Sequence, residues 1–347
     1  MKEILPDVER WEEGGERVVV ATVVATRRST PRPVGSSFAI SSSGALCGSV
    51  SGGCVESDVY ERAQEVFDTG APTLVTYGIS DDQAWSVGLP CGGEIDVFLE
   101  RRDGDEPLAP AEGERAVLFT VLDGVSAGRK LLVPEDGAPT GDGPSELAAQ
   151  AAEILRRGKN RLLELDGMRV FAEWYGPPPR LLVYGAVDTA EALCASARLL
   201  GWHTIVADAR EKFATPERIP SADRLIVAWP EDAIAEVAPD AHTAIVVLTH
   251  DDKFDEPALI GALATDAFYI GALGSRRNQE RRRERLFEAG VAEDELGRIS
   301  GPCGLDIGAD TQDETALSIL GEILAVRAER DGGRLRDSAQ RIHAEIA

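Results

Sequence analysis

Residues 180–209 read RLLVYGAVDTAEALCASARLLGWHTIVADA, an order of apolar runs that is typical of a strand, a helix and a second strand. The first run ends at a glycine turn, and the segment after the turn carries apolar residues at helical spacing. A strand followed by a crossover helix predicts a parallel neighbouring strand. The stretch therefore predicts the start of a Rossmann-like, doubly wound parallel sheet.

The same alternation continues toward the C-terminus. Further strands are predicted at RLIVAW (224–229), TAIVVLTH (243–250) and AFYIGALGS (267–275), with helices at FDEPALIGALA (254–264) and NQERRRERLFEAG (278–290). Strands that are apolar along most of their length indicate a sheet covered by helices on both faces. The second half of the chain is therefore expected to form one α/β domain.

The first half of the chain has a different pattern of predicted strands and helices. Strands are predicted at 17–25, 37–41, 72–79 and 94–100, and a helix over 56–67 follows a glycine pair. The stiff segment YGPPPR, residues 175–180, separates the halves, because proline fixes its own φ and restrains the residue before it. We predict an N-terminal α/β domain with glycine-rich cysteine loops over residues 1–176 and a Rossmann-like domain over 177–347.

The charge of the chain excludes two classes of partner. It carries 36 basic and 60 acidic residues, a formal net charge of −24. This charge repels phosphate backbones and anionic headgroups, so neither nucleic acid nor a membrane surface is expected as a partner. The N-terminal stretch MKEILPDVERWEEGGER places charges where a signal peptide needs apolar residues, so we expect a cytoplasmic protein.

Two of the five cysteines, each in a glycine-rich loop, are candidate site residues. Cys54, in SVSGGCVESD, precedes a predicted helix whose free amides and dipole stabilise a thiolate or hold an anion. Cys91, in GLPCGGEID, is flanked by glycines that permit close approach of a ligand. The alternative for each is an unreactive thiol in a tight turn. An odd number of cysteines without a CxxC pair indicates reduced thiols, and the four histidines are not spaced for a zinc site.

Arginines mark two candidate anion sites. Arg27, Arg28 and Arg32 make TRRSTPRPVGSS a basic loop in an acidic protein, and guanidinium groups suit phosphate or carboxylate. A second arginine-rich segment begins at Gly274, Ser275 and Arg276. A solvated helix face explains the arginines at 281–285 equally well.

A further glycine-rich loop lies in SGPCGLDIGADT, which contains Gly304, Asp306 and Gly308. Thr311 and Glu314 have the spacing of a capping box, so a helix is expected to begin there. The loop glycines are expected either to approach a ligand or to serve helix packing.

The turn from Gly185 to Ala190 lacks the middle glycine of a dinucleotide fingerprint, because Val187 occupies that position. Asp208 ends the second strand, where an acid binds ribose in NAD enzymes, or else caps the strand end. His250 ends another strand and is a candidate for either a ligand contact or a bond to the acidic residues beside it. NAD(P) is therefore an alternative ligand, in an oxidoreductase that uses the second domain.

Four ordered motifs carry a family resemblance: SVSGGCVES, YGISDDQAWSVGLPCGGEIDVF, AFYIGALGSRRNQERRRERL and GPCGLDIGADT. They resemble the XdhC/CoxI family, the accessory proteins of xanthine dehydrogenase and related molybdenum hydroxylases. The resemblance implies a maturation factor rather than an enzyme, with the molybdenum cofactor as its ligand. It also implies that the protein protects this cofactor during sulfuration by a cysteine desulfurase and delivers it to an apo molybdenum hydroxylase.

No catalytic residue is assigned. The residues expected to bind the cofactor are Arg28, Arg32, Ser51, Gly52, Gly53, Cys54, Cys91, Gly92, Gly93, Gly185, Asp208, His250, Gly274, Ser275, Arg276, Gly304, Asp306 and Gly308. Of these, Cys54 and Cys91 are expected to contact molybdenum transiently. A homodimer is a further expectation, and a scaffold without a ligand of its own is a second alternative to the cofactor chaperone.

Overall fold

The computed structural model of the chain describes residues 3–28, 30–78, 93–102, 110 and 113–339. The chain divides into two compact units, one that reaches Pro177 and one that runs from Pro178 to Asp337. The proline-rich segment recognised in the sequence lies at this division. Each unit has its own sheets and its own apolar core.

The first unit opens with an antiparallel sheet and two helices. Its elements are α1 (Leu5–Glu13), β1 (Val18–Arg27), β2 (Ser37–Ser41), β3 (Leu46–Gly48), α2 (Glu56–Thr69), β4 (Thr73–Tyr77) and β5 (Glu94–Arg102). The strands lie in the order β3-β2-β1-β5-β4. The apolar face of α2, including Val59 and Val66, packs on Val19, Ala21 and Val23 of β1. The unbroken apolar run of β1 is explained by burial of both of its faces.

A second antiparallel sheet completes the first unit. It is formed by β6 (Ala116–Val121), β7 (Lys130–Pro134), β8 (Thr140–Gly141), β9 (Arg161–Leu165) and β10 (Met168–Tyr175), with α3 (Ala151–Arg157) between β8 and β9. Its order is β8-β7-β6-β10-β9. Val24 and Phe98 of the first sheet pack with Phe171 of the second and with Leu122, which directly follows β6. This apolar layer joins the two sheets into one unit.

The second unit is a doubly wound α/β sheet. Its elements are β11 (Arg180–Tyr184), α4 (Asp188–Arg198), β12 (His203–Ala207), β13 (Arg224–Ile226), α5 (Pro230–Val237), β14 (Thr243–Val247), α6 (Asp252–Leu263), β15 (Tyr269–Ala272), α7 (Arg276–Glu288), α8 (Glu293–Leu296), β16 (Ile299–Ser300) and α9 (Gln312–Arg327). All strand pairs are parallel, in the order β13-β12-β11-β14-β15-β16. This order reverses direction between β11 and β14, as in a Rossmann fold. The predicted fold class is confirmed.

The two faces of the parallel sheet are covered by different helices. α4 and α9 pack on one face, where Leu193, Ile319 and Ile323 are buried. α5, α6 and α7 cover the other face, which buries Leu259 and Leu286. With both faces covered, ligands reach such a sheet at the edge where the strands end. Among the described residues, no helix has the length and apolar character needed to cross a membrane.

Candidate functional site

Three connections of the first unit leave the first sheet at the same edge. β1 ends at Arg27 opposite Glu94, the first residue of β5, and β4 ends at Tyr77 opposite Ile95. β3 ends where β2 begins. The connections β1–β2, β3–α2 and β4–β5 therefore start or end side by side. We call this the Cys54 edge, made of loops 28–36 and 49–55 together with Gly78 and Gly93.

Glu56 organises the loop that carries Cys54. Its carboxylate accepts the backbone N–H groups of Val50 (3.2 Å), Ser51 (2.9 Å) and Gly53 (2.9 Å). The hydroxyls of Ser49 and Ser51 also donate to it. Burial alone raises the pKa of Glu56, but the hydrogen bonds from these serines and from the Ser51 amide outweigh it and lower the pKa to about 2.

The remaining amides of the loop are bound by two serine hydroxyls. Ser49 Oγ accepts from Gly52 N at 2.8 Å, and Ser51 Oγ accepts from the amides of Cys54 and Val55, each at 2.9 Å. From the sequence, we expected these amides to be free to bind a thiolate or an anion. In the structure each amide from residue 50 to residue 55 already donates within the loop.

These hydrogen bonds therefore hold the backbone on either side of Cys54 in place. Gly52, Gly53 and Cys54 are exposed. The glycines have φ values of +74° and +109°, which side chains rarely adopt, and the space beside both is open. The glycine pair thus makes a tight turn, and neither glycine places a side chain beside Cys54. An exposed thiol on a hydrogen-bonded turn is available to a ligand that approaches from solvent.

The start of α2 is fastened to the end of β4. Asp58 accepts the Tyr77 hydroxyl at 2.7 Å and Arg62 Nε at 2.6 Å. This holds the Cys54 loop next to the point where the chain enters residues 79–92. Cys91 and Gly92 lie outside the described residues, whereas Gly93 directly precedes β5 at the Cys54 edge.

Two arginines of loop 28–36 retain unused donors. Arg27, before the loop, is paired with Asp96, with Nη2 and Oδ2 2.8 Å apart. Arg28 is exposed and has no hydrogen-bond or ion-pair partner among the described residues. Arg32 donates from Nη2 to Glu3 at 3.2 Å, but its Nε is buried and has no partner in the described part of the chain. These two side chains are the cationic donors that the loop can offer to an anion.

In the second unit, the predicted site residues Gly185 and Asp208 lie at a tightly packed turn after β11. Gly185 has a φ of +112°, and a Cβ there would lie 2.9 Å from Thr249 Cγ2, so glycine lets the ends of β11 and β14 approach. Asp208 is fully buried and accepts Ala186 N at 2.9 Å. Arg210 Nε and Nη2 bind its two oxygens at 2.8 and 2.7 Å.

Asp208 is therefore paired within the protein. Burial alone raises its pKa, but hydrogen bonds from Arg210 and the Ala186 amide prevail and lower it. Both carboxylate oxygens are occupied, as in a strand-end cap. A ribose hydroxyl would have to displace Arg210 to reach them.

A buried ion pair braces the ends of β14 and β15. Asp255 of α6 accepts the Thr249 hydroxyl and binds Arg282 Nη2 at 2.7 Å. Arg282 also donates to Gln279 Oε1 at 2.7 Å and to the Leu273 carbonyl at 3.1 Å. The network connects two strand ends with two helices. His250, next to Thr249, is exposed.

The other predicted residues of this unit also lie where strands end. Ser275 caps α7 by accepting Asn278 N at 3.3 Å, and Arg276 after it is exposed. The Gly304 amide donates to Glu322 at 2.7 Å. Asp306, at the centre of the following loop, is exposed, as are residues 307–311.

The helix start predicted after this loop is confirmed. Thr311 accepts Glu314 N at 3.2 Å, and Glu314 accepts the amide of Thr311 at 2.9 Å, which is a capping box at the start of α9.

The structure thus sorts the predicted site residues into two groups, one in each unit. At the Cys54 edge are Arg28, Arg32, Ser51, Gly52, Gly53, Cys54 and Gly93. At the carboxyl ends of the parallel strands are Gly185, Asp208, His250, Gly274, Ser275, Arg276, Gly304, Asp306 and Gly308. Among the described residues, no three His, Cys, Asp or Glu side chains are grouped to hold a metal ion.

Sequence reasoning missed the residues that organise both groups. The sequence marks Glu56 only as an acid in the first turn of a helix, a position that already favours acceptance of amide hydrogens. Arg210 stands two residues after Asp208, a spacing that allows a local ion pair. The pair of Asp255 and Arg282 spans 27 residues and has no local signal.

Comparison with protein families gives two matches. Residues 181–323 match the family described as the XdhC Rossmann domain. Residues 11–78 match the XdhC and CoxI family.

Relatives along nearly the whole chain agree with these matches. The chain is 30% identical to a protein of Bacillus subtilis (strain 168) named as a probable xanthine dehydrogenase subunit, over 91% of this chain and 94% of that protein. It is 29% identical to the molybdenum cofactor insertion chaperone PaoD of Escherichia coli (strain K12), over 91% of this chain and 86% of PaoD. A crystal structure described as a xanthine dehydrogenase from Bacillus halodurans shares the fold, with a TM-score of 0.68, 24% identity, and coverage of 96% of this chain and 98% of that one.

Proposed function

The chain belongs to the XdhC and CoxI family, and we propose that it binds the molybdenum cofactor as cargo and inserts it into a molybdenum hydroxylase of the xanthine dehydrogenase type. One relative over most of the chain is named a molybdenum cofactor insertion chaperone. The name of another describes a probable component of xanthine dehydrogenase. These names support the molybdenum cofactor as the cargo and a molybdenum hydroxylase as the protein that receives it.

The observation that carries the proposal is the exposed Cys54 on a turn whose amides are all bound internally. The cargo carries a metal, a dithiolene and a terminal phosphate. A thiolate is a soft ligand for a metal, and it is useful to a carrier only where the cargo can reach it and leave again. Among the described residues, Cys54 belongs to no group of three side chains that could hold a metal ion, so it meets that requirement by allowing contact without a closed metal site.

The charged groups at the Cys54 edge fit the other end of the cargo. Arg28 is exposed without a partner among the described residues, and the buried Nε of Arg32 lacks an acceptor there. A phosphate accepts charge-assisted hydrogen bonds from such donors. Glu56 contributes by fixing the position of the Cys54 loop rather than by touching the cargo.

The same proposal covers residues and partners beyond this edge. Cys91, in the connection that returns at Gly93, is proposed as a second thiol near the metal. A cysteine desulfurase is proposed as the partner that replaces an oxo ligand of the cargo with sulfur while the carrier shields it. A homodimer is proposed as the assembled form.

The alternative of an NAD(P)-dependent oxidoreductase has less support. The acid expected to bind ribose, Asp208, is buried and paired with Arg210. Val187 is the N-cap of α4, so a branched side chain stands where dinucleotide binders place a glycine.

A client assay tests the proposal. In cells that lack this chain, a xanthine dehydrogenase-type hydroxylase is expected to accumulate without molybdenum and without activity. The wild-type chain should restore both, whereas Cys54→Ser should not. Cys47→Ser is the matched control, because Cys47 lies half-buried in β3 of the same unit. Full restoration by Cys54→Ser would remove the role assigned to this thiol, and full metal loading without the chain would contradict the proposed function.

A further inference from the structure

A cavity of about 430 Å³ lies in the second unit, beside α7 and the ends of β15 and β16. Its volume falls in the range of small-molecule sites. The cavity belongs to the carboxyl side of the parallel strands, since Arg276 follows β15 and Gly301 follows β16. Ligands of open α/β sheets bind on this side.

One wall of the cavity is cationic and has unused donors. Arg276, the first residue of α7, is exposed and has no hydrogen-bond or ion-pair partner among the described residues. It stands at the positive end of a 13-residue helix. Ser275 satisfies one of the amides of that helix end. Both the free guanidinium and the helix end favour an anion near Arg276.

Arg282 provides a second unused donor at the cavity. Its side chain is 5% exposed and lines the cavity, and its two Nη atoms are bound to Gln279, Asp255 and the Leu273 carbonyl. Its Nε is buried and has no partner among the described residues. A buried donor without an acceptor is costly, so an acceptor from a ligand would be stabilising there.

Part of the cavity lining is apolar. Leu286 and Leu296 are buried, and together with Ile299 and Pro302 they line the cavity. Such a surface favours the body of an organic molecule over a hydrated inorganic ion. Glu280 is the acidic lining residue, and its charge opposes ligands with several negative groups.

We propose that this cavity binds a small organic oxyanion with one carboxylate or phosphate head and an apolar body. The head accepts hydrogen bonds from Arg276 and from Arg282 Nε. The body packs against Leu286 and Leu296. The cavity lies in the second unit and the Cys54 edge in the first, and the inference does not depend on cargo binding at the Cys54 edge.

Calorimetric titration of the full chain at low salt tests the site, with phenyl phosphate, benzoate and inorganic phosphate as probes. At least one organic probe is expected to bind saturably at one site and more tightly than inorganic phosphate. The preferred head group then shows whether the natural ligand is a phosphate or a carboxylate.

Variants locate the binding. Arg276→Gln is expected to weaken the organic probe about tenfold, the loss of one charge-assisted hydrogen bond. Glu280→Gln should tighten it several-fold. Arg277→Gln, an exposed arginine on the same helix that does not line the cavity, should leave binding unchanged. The inference is overturned if neither organic probe saturates, if inorganic phosphate binds equally well, or if both arginine variants lose affinity alike.

Discussion

Replacing Glu56 with glutamine should loosen the Cys54 loop without removing the cysteine. The carboxylate accepts three backbone N–H groups and two serine hydroxyls. A glutamine side chain keeps one acceptor oxygen and replaces the other with an NH₂ group, which only donates. The Gly53 amide, which donates to Glu56 Oε2, then faces a donor and loses its acceptor.

The loss of an amide acceptor and the pKa of Glu56 each give the size of the stability loss. An amide left without an acceptor costs about 1–3 kcal/mol. The pKa of Glu56 is about 2 instead of 4.5, which at about 1.4 kcal/mol for each pH unit corresponds to about 3 kcal/mol. Because the loop is partly open to solvent, screening reduces this to about 1–2 kcal/mol. The two ranges agree on a loss of about 1–2 kcal/mol at neutral pH.

The pH dependence has a definite sign. Folding lowers the pKa of Glu56, so its stabilisation is fully present above pH 4.5 and is lost as the pH falls toward 2. The difference between wild type and Glu56→Gln should therefore be largest at neutral pH and shrink steadily below pH 4.5. Urea unfolding at several pH values measures this difference.

Amide hydrogen exchange gives the local measurement. In Glu56→Gln, the Gly53 amide should exchange about five to thirty times faster than in wild type, the equivalent of about 1–2 kcal/mol, because it alone of the three amides loses its acceptor. Glu61→Gln is the matched control, because Glu61 is exposed on the same helix and lies outside the Cys54 loop. Unchanged exchange at the Gly53 amide, or a stability difference that grows in acid, would refute the role given to Glu56.

Three further outcomes are expected. Iodoacetamide should label Cys54 in the native protein before Cys303, because Cys303 is buried and burial raises its pKa to about 12; peptide mass spectrometry checks this, and earlier labelling of Cys303 would contradict it. Asp255→Asn should lower stability by about 3–5 kcal/mol, since the buried Arg282 charge loses its counter-ion; a loss under about 1 kcal/mol in denaturant unfolding would show that the pair is not a brace. Thr311→Ala should cost about 1 kcal/mol by removing the cap of α9, and an unchanged unfolding midpoint would exclude that contribution.

The second unit could be predicted largely from its sequence. Strands such as β11 and β14 are buried on both faces, so their apolar runs are unbroken and easy to recognise. β16 was missed because it has only two residues, too few for a pattern. α5 was missed because its eight residues form little more than two turns.

The first unit was less accessible. The sequence predicts β1, β2, β4 and β5, but β3, β8, β9 and β10 were missed. The antiparallel register that brings Arg27, Tyr77 and Gly93 to one edge depends on pairings between distant segments. No local pattern specifies those pairings.

The site shows the same division between local and distant effects. Cys54 could be singled out because a glycine pair before a helix is a local feature. The hydrogen bonds from the amides of the turn to Glu56 could not be predicted, because they depend on how the loop folds back over the helix start. The acid at Asp208 was located correctly at a strand end, but its pairing with Arg210 decides what it can bind.

Cargo binding is tested most directly by anaerobic titration of the purified chain with molybdenum cofactor, followed by gel filtration and assay of molybdenum and pterin in the protein fraction. We expect retention close to one cofactor for each chain, lost in Cys54→Ser and weakened in Arg28→Gln, with Cys47→Ser as the control that retains it. Absence of molybdenum and pterin from the folded wild-type protein would contradict the proposal that this chain carries the cofactor.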